Sequence, residues 1–144
     1  MKISIVSGYF NPIHQGHIEY INSSRLFGDY LIVIVNSDYQ VKLKGSVPFM
    51  DEKHRMYIVE NLKSVDKVIL SIDTDKTQCE TLKYLKQMYP ADELTFFNSG
   101  DRTMSKSEPA EISVCREKNI KYQIIDLPKI YSSSELIKNK KNNI

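Results

Sequence analysis

Cysteine is scarce and tryptophan is absent: the 144 residues include two Cys, no Trp, five Gly and five Pro. Cys79 and Cys115 are too few for a disulfide framework and lack zinc-ligand spacing. They read as reduced, partly buried thiols, although their spacing leaves a bridge open. So little Gly and Pro excludes collagen-like and low-complexity chains. No apolar run approaches the roughly 18 residues that a membrane span needs. The apolar stretch within Met1–Gly8 is too short for a signal-peptide core and lacks a cleavage site, so a cytoplasmic protein is expected. A large charge excess is also missing. The net charge is +2, and the four lysines and one acid from Lys129 onward contribute +3. Residues 1–128 therefore carry −1, and a broad nucleic-acid-binding face is not expected.

What is present is an ordinary globular composition, with 41% apolar and 26% charged residues. The length suits one domain, expected over residues 1–137, followed by a basic tail at 138–144. Short β-branched runs occur at Ile3–Val6, Tyr30–Val35, Val65–Leu70, Leu94–Phe97 and Tyr122–Leu127. They are nearly continuous in apolar character, as strands buried on both faces are. Between them lie segments with helical spacing at Gln15–Phe27, Asp51–Leu62, Thr77–Met88, Pro109–Asn119 and Ser132–Lys141. Gly28 reads as the residue that ends the first helix. The alternation predicts an α/β fold, a Rossmann-like doubly wound sheet of five parallel strands with helices on both faces. Ser37 to Asp51 reads as a long polar loop, and such loops are often functional.

In a sheet of this kind the ligand sits beyond the carboxyl ends of the strands, where the strand order reverses. The first strand runs into Gly8-Tyr9-Phe10-Asn11-Pro12-Ile13-His14-Gln15-Gly16-His17. This is neither the dinucleotide G-x-G-x-x-G pattern nor a phosphate loop, which disfavours a dehydrogenase and a P-loop enzyme. Gly8 permits close backbone approach to a ligand. The following helix N-terminus favours anions. Two histidines three residues apart share one side of the first turn, where both can donate to phosphate oxygens.

This run resembles the G-x-F-[DN]-x-x-H-x-G-H motif of the cytidylyltransferase-like nucleotidyltransferases, matched at Gly8, Phe10, Asn11, His14, Gly16 and His17. The resemblance implies that His14 and His17 contact triphosphate oxygens and stabilise the transition state at the α-phosphorus, without a covalent enzyme intermediate. Tyr9 stands where the family often has Ser or Thr. Ser132-Ser133-Ser134 resembles the Ser/Thr-rich opening of the family's last helix, which implies β/γ-phosphate contacts. Val41-Lys42-Leu43-Lys44-Gly45 resembles its lysine loop, with Lys44 preferred over Lys42 as the residue that reaches the triphosphate. Gly100-Asp101-Arg102 resembles the family's G-D motif near the nucleotide. Asn36 and Asp38 resemble acceptor contacts, with a cap or turn role as the alternative. Arg55 resembles an arginine that either binds the acceptor phosphate or structures the site. His54 reads as a surface residue, and Asp73 with Asp75 as a turn pair.

The implied function is transfer of a nucleoside monophosphate from an NTP to a small phosphorylated acceptor. ATP with a sugar 1-phosphate is preferred. CTP with glycerol 3-phosphate is the alternative, and a flavin-nucleotide adenylyltransferase is a third. A non-catalytic nucleotide-binding module is the alternative of another class. Mg²⁺ is expected to travel on the NTP phosphates, so no residue is nominated as a metal ligand. Members of the family often pair, which suggests a homodimer.

Overall fold

The structure is a computed structural model that describes residues 1–99 and 108–125. Within these the chain runs β1 (Lys2–Gly8), α1 (Gln15–Arg25), β2 (Tyr30–Val35), α2 (Asp38–Leu43) and α3 (Glu52–Glu60). It continues through β3 (Lys67–Leu70), α4 (Cys79–Met88), β4 (Glu93–Ser99), α5 (Ala110–Glu117) and β5 (Lys121–Ile125). All five strands are parallel and lie in the order β3-β2-β1-β4-β5. The order reverses between β1 and β4, which places the expected ligand crevice beside Gly8.

Side-chain alternation along the strands builds two cores. Ile3 and Ile5 of β1, Ile32 and Ile34 of β2, and Leu94 and Phe96 of β4 pack on one face with Leu82 and Leu85 of α4 and Val114 and Cys115 of α5. Val6, Leu31, Val33, Val35 and Phe97 pack on the other with Tyr20 and Ile21 of α1 and Val59 of α3. The sheet is covered on both sides, and its central strands are apolar at nearly every position for that reason.

Two local expectations change. The polar stretch after β2 contains α2, a six-residue helix with a reciprocal cap between Ser37 and Gln40. Only Gln40 and Val41 of α2 are buried, too little periodicity to register as a helix. Gly28 does not end α1 through a left-handed turn. A Cβ there would lie 2.7 Å from Ser4 Oγ and 2.9 Å from the Lys2 carbonyl oxygen, so glycine is needed for close approach to β1. A left-handed residue does end α5: Asn119 has φ 59°, and the Ile120 N–H donates to the Cys115 carbonyl at 2.8 Å. No helix among the described residues is long and apolar enough to cross a membrane.

Candidate active site

The turn after β1 is shaped from Gly8 outward. A Cβ on Gly8 would sit 2.7 Å from Cζ of Phe10, so only glycine lets that ring fold back beneath the strand end. Phe10 adopts φ 49° and is 1% exposed. Its ring meets His17 edge-on, with centroids 5.2 Å apart. The Asn11–Pro12 peptide is cis. Phe10 therefore anchors the turn in the core and supports the second histidine of the motif.

His14 is the N-cap of α1. Its Nδ1 accepts the Gly16 N–H at 3.0 Å, while His17 Nδ1 accepts the His14 N–H at 3.0 Å. This is the reciprocal geometry of a capping box, built from imidazoles. It also fixes the chemistry. An Nδ1 that accepts a hydrogen bond carries no proton, so each neutral ring holds its proton on Nε2. The two rings stack with centroids 3.8 Å apart and planes 28° apart. Burial, together with His14 and Lys44 nearby, pulls the His17 imidazole down to about 4. At neutral pH His17 is therefore an uncharged Nε2–H donor.

Both histidines line a cavity of about 420 Å³, together with Gly8, Tyr9, Asn11 and Lys44. The size is that of an ordinary small-molecule site. Lys44 closes α2, and Gly45 follows it with φ 90° and no neighbour near its Cβ position, so backbone conformation alone calls for glycine there. The Lys44 ammonium lies 4.3 Å from the centre of the Tyr9 ring. Lys42 does not line this cavity. Asn11 pins the segment after Lys44: its Nδ2 donates to the Val47 carbonyl at 3.0 Å and its Oδ1 accepts the Phe49 N–H at 2.6 Å. An amide does both, whereas an aspartate would face the Val47 carbonyl with no donor. Gly16 is not in the cavity wall, and its N–H is taken by His14.

Asn36, Asp38 and Arg55 are brought together, but not in the wall of this cavity. The Arg55 side chain is fully buried. Its Nη1 donates to the carbonyls of Tyr9 at 2.8 Å and Asn36 at 2.7 Å. Nε donates to the Met50 carbonyl at 3.0 Å, and Nη2 to Asp38 Oδ1 at 2.8 Å. The Asn36 N–H meanwhile donates to the Gly8 carbonyl at 2.9 Å. Arg55 thus takes the structuring role among its alternatives, bonded to three carbonyls and to Asp38 Oδ1, while Asn36 is held to it and to Gly8 through its backbone.

The wall also holds residues that the motif reading missed. Ser7 precedes Gly8, Ser46 follows Gly45, and Asn98 with Ser99 ends β4. Asn98 is buried and donates to the Tyr122 hydroxyl at 2.7 Å. The signal for Asn98 and Ser99 was positional, since they close the strand across the switch point from Gly8. Tyr20 of α1 also lines the cavity and donates its hydroxyl to the Phe97 carbonyl, tying α1 to β4. Gly100, Asp101, Arg102, Ser132, Ser133, Ser134 and the 138–144 tail lie outside the described residues.

The remaining singled-out residues have local roles. His54 is exposed. Asp75 accepts both the backbone and hydroxyl hydrogens of Thr77. Asp73 is buried and caps α4, accepting the N–H groups of Glu80 at 2.7 Å and Thr81 at 2.9 Å. Cys79 and Cys115 are free thiols, and burial pushes the latter up to about 12.

A parallel sheet that reverses its order at an imidazole-lined cavity defines a doubly wound α/β domain with a ligand crevice at its switch point. The sequence model of the cytidylyltransferase-like family matches residues 5–139, and the chain belongs to that family. An FAD synthase of Aciduliprofundum boonei is 30% identical over 132 residues, covering 92% of this chain and 81% of that protein. The bifunctional protein HldE of Aliarcobacter butzleri is 40% identical over 87 residues, 59% of this chain and 18% of that protein. The crystal structure of the lipopolysaccharide core biosynthesis protein from Thermoplasma volcanium matches with a TM-score of 0.67 at 27% identity, over 89% of this chain and 97% of that one. In three further FAD synthases the chain spans about half of the relative, at 56%, 49% and 50%.

Proposed function

We propose that the chain transfers an adenylyl group from ATP to a small phosphorylated acceptor and releases pyrophosphate. The observation that carries this reading is the donor set. Two Nε2–H imidazoles and one ammonium meet at one cavity at the start of α1, and among the described residues its wall has no carboxylate. Such a surface suits a polyanion.

An acceptor phosphate oxygen attacks the α-phosphorus in line. A new P–O bond forms there, the bond to the bridging oxygen breaks, and its electron pair leaves with pyrophosphate. His14 and His17 donate Nε2–H to oxygens on which charge accumulates, and Lys44 opposes charge on the departing phosphates. Neutral donors suit this task because they are fixed in place and retain their protons throughout. Ser132–Ser134 are assigned to the leaving group. Gly100, Asp101 and Arg102 are assigned to the nucleoside and acceptor side. Mg²⁺ is assigned as an ion carried by the NTP phosphates, because it keeps most of its waters and is commonly held by substrate phosphates with few protein ligands. Bound in that way, it neutralises phosphate charge.

ATP is favoured because several relatives are FAD synthases, and FAD is FMN joined to an adenylate. A sugar phosphate acceptor draws support from the structural relative in lipopolysaccharide core biosynthesis. The test is pyrophosphate release from ATP or CTP against FMN, sugar 1-phosphates and glycerol 3-phosphate. ATP with one of the first two acceptor classes is expected to turn over. His17→Ala is expected to lose several orders of rate while staying folded. Turnover with CTP alone, or unchanged turnover in His17→Ala, would overturn the reading.

A further inference from the structure

Tyr9 is the one residue between Gly8 and Asn11 that the family motif leaves unspecified, and it faces the lysine. We propose that Tyr9 is a positioning residue whose ring face holds the Lys44 ammonium at the histidine cavity, ready to meet the phosphates. This rests on the nucleotidyltransferase reading.

The geometry is that of a cation over an aromatic face, with Nζ 4.3 Å from the ring centroid. Lys44 belongs to an exposed helix end, and among the described residues no carboxylate pairs with it. A lysine in that position ordinarily samples many rotamers. The ring restricts them and leaves the charge intact, whereas a carboxylate at the same place would cancel it. A lysine ordered before the ligand arrives loses less freedom on binding, which strengthens binding.

The platform itself is held rigidly. The Tyr9 carbonyl accepts from buried Arg55 at 2.8 Å. Phe10, the next residue, is locked in the core at φ 49°. Tyr9 and Lys44 both line the cavity with His14 and His17. The Lys44 charge is felt at His17, where it is one of the influences that lower the imidazole's proton affinity. The position of the lysine can therefore be read in the ligand-free protein.

The test uses the full chain with Tyr9→Leu, Tyr9→Phe and Lys44→Met, each checked for folding by thermal melt. ATP with Mg²⁺ is titrated by calorimetry, and the His17 ring is titrated by NMR. Tyr9→Leu is expected to weaken ATP about three- to tenfold, the scale of a partly exposed cation–π contact. Tyr9→Phe keeps the ring and is expected to restore binding to within about twofold. In the Lys44→Met background, Tyr9→Leu is expected to cost nothing further, because the ring acts through the lysine. Without ligand, Tyr9→Leu is expected to raise the His17 pKa, and Tyr9→Phe to leave it as in the wild type. The proposal is overturned if Tyr9→Leu binds like the wild type, if Tyr9→Phe is as weak as Tyr9→Leu, or if the loss persists without Lys44. A wild-type chain that binds no ATP would overturn the ATP-dependent reading of the site. The His17 titration would then decide Tyr9 separately, and an unchanged pKa in Tyr9→Leu would sink it.

Discussion

A histidine can meet phosphate as a cation or as a neutral donor, and His17 is held in the second form. Its Nδ1 is occupied by the His14 N–H, its ring lies against Phe10 and His14, and Lys44 stands nearby. Each of these surroundings disfavours a second proton. NMR titration of the folded chain should therefore find His17 near 4, well below its ordinary 6.5. The sign of the linked stability effect follows. Between pH 6.5 and 4 the unfolded chain binds a proton at this residue and the folded chain does not, so stability falls as pH falls through that window. On this residue's account the loss is on the order of 2 kcal/mol after allowance for partial exposure. Urea unfolding at pH 7 and pH 4.5 measures it, and His17→Asn should flatten the difference. A His17 that titrates at 6.5 or above would contradict the neutral-donor assignment.

At the scale of elements, side chains that cap from a distance matter as much as propensity does. No side chain at the adjoining Gln78 caps α4, and Asp73 does this from six residues upstream of Cys79. Its Oδ1 also accepts the Thr81 hydroxyl at 2.6 Å. Asp73→Ala would leave two helix N–H groups and a buried hydroxyl short of an acceptor. It should lower stability by about 2 kcal/mol in denaturant unfolding and leave ATP affinity unchanged, since Asp73 is not in the cavity wall. Equal stability of variant and wild type would remove the capping role.

Asp73 also marks where sequence reading stops. Strands β1, β2 and β4 were readable because a strand buried on both faces is apolar nearly throughout, and α1 because its apolar residues recur near helical spacing. The carboxylate of Asp73 looked like half of a turn pair, because nothing local reveals that a chain will fold back onto it. For the same reason α2 passed as loop: its hold on the fold is the Gln40 amide, which donates to the carbonyls of Asp75 and Thr77 some 35 residues on. His14, His17 and Lys44 were nameable from spacing and resemblance. The tautomers of the histidines and the ring beneath the lysine depend on three-dimensional placement.

Across the whole molecule one side chain joins the parts that must agree for the site to exist. Arg55 leaves α3 and reaches the turn after β1 at Tyr9, the end of β2 at Asn36, the approach to α3 at Met50 and the start of α2 at Asp38. The histidine turn and the lysine-bearing helix thus share one buried cation. Arg55→Met fills similar volume but leaves three carbonyls and a partly buried carboxylate without their donor. Breaking such a set by removing one partner costs about 3–5 kcal/mol, and denaturant unfolding should find a loss of that order. Arg55→Lys keeps the charge yet lacks the planar fork, so it should recover only part of the loss. ATP affinity should fall in parallel with stability, because the Tyr9 platform and α2 lose their common tie. A direct phosphate contact would give a different pattern. Arg55→Met would then bind ATP or the acceptor weakly at undiminished stability, and that result would return Arg55 to the ligand side of the cavity.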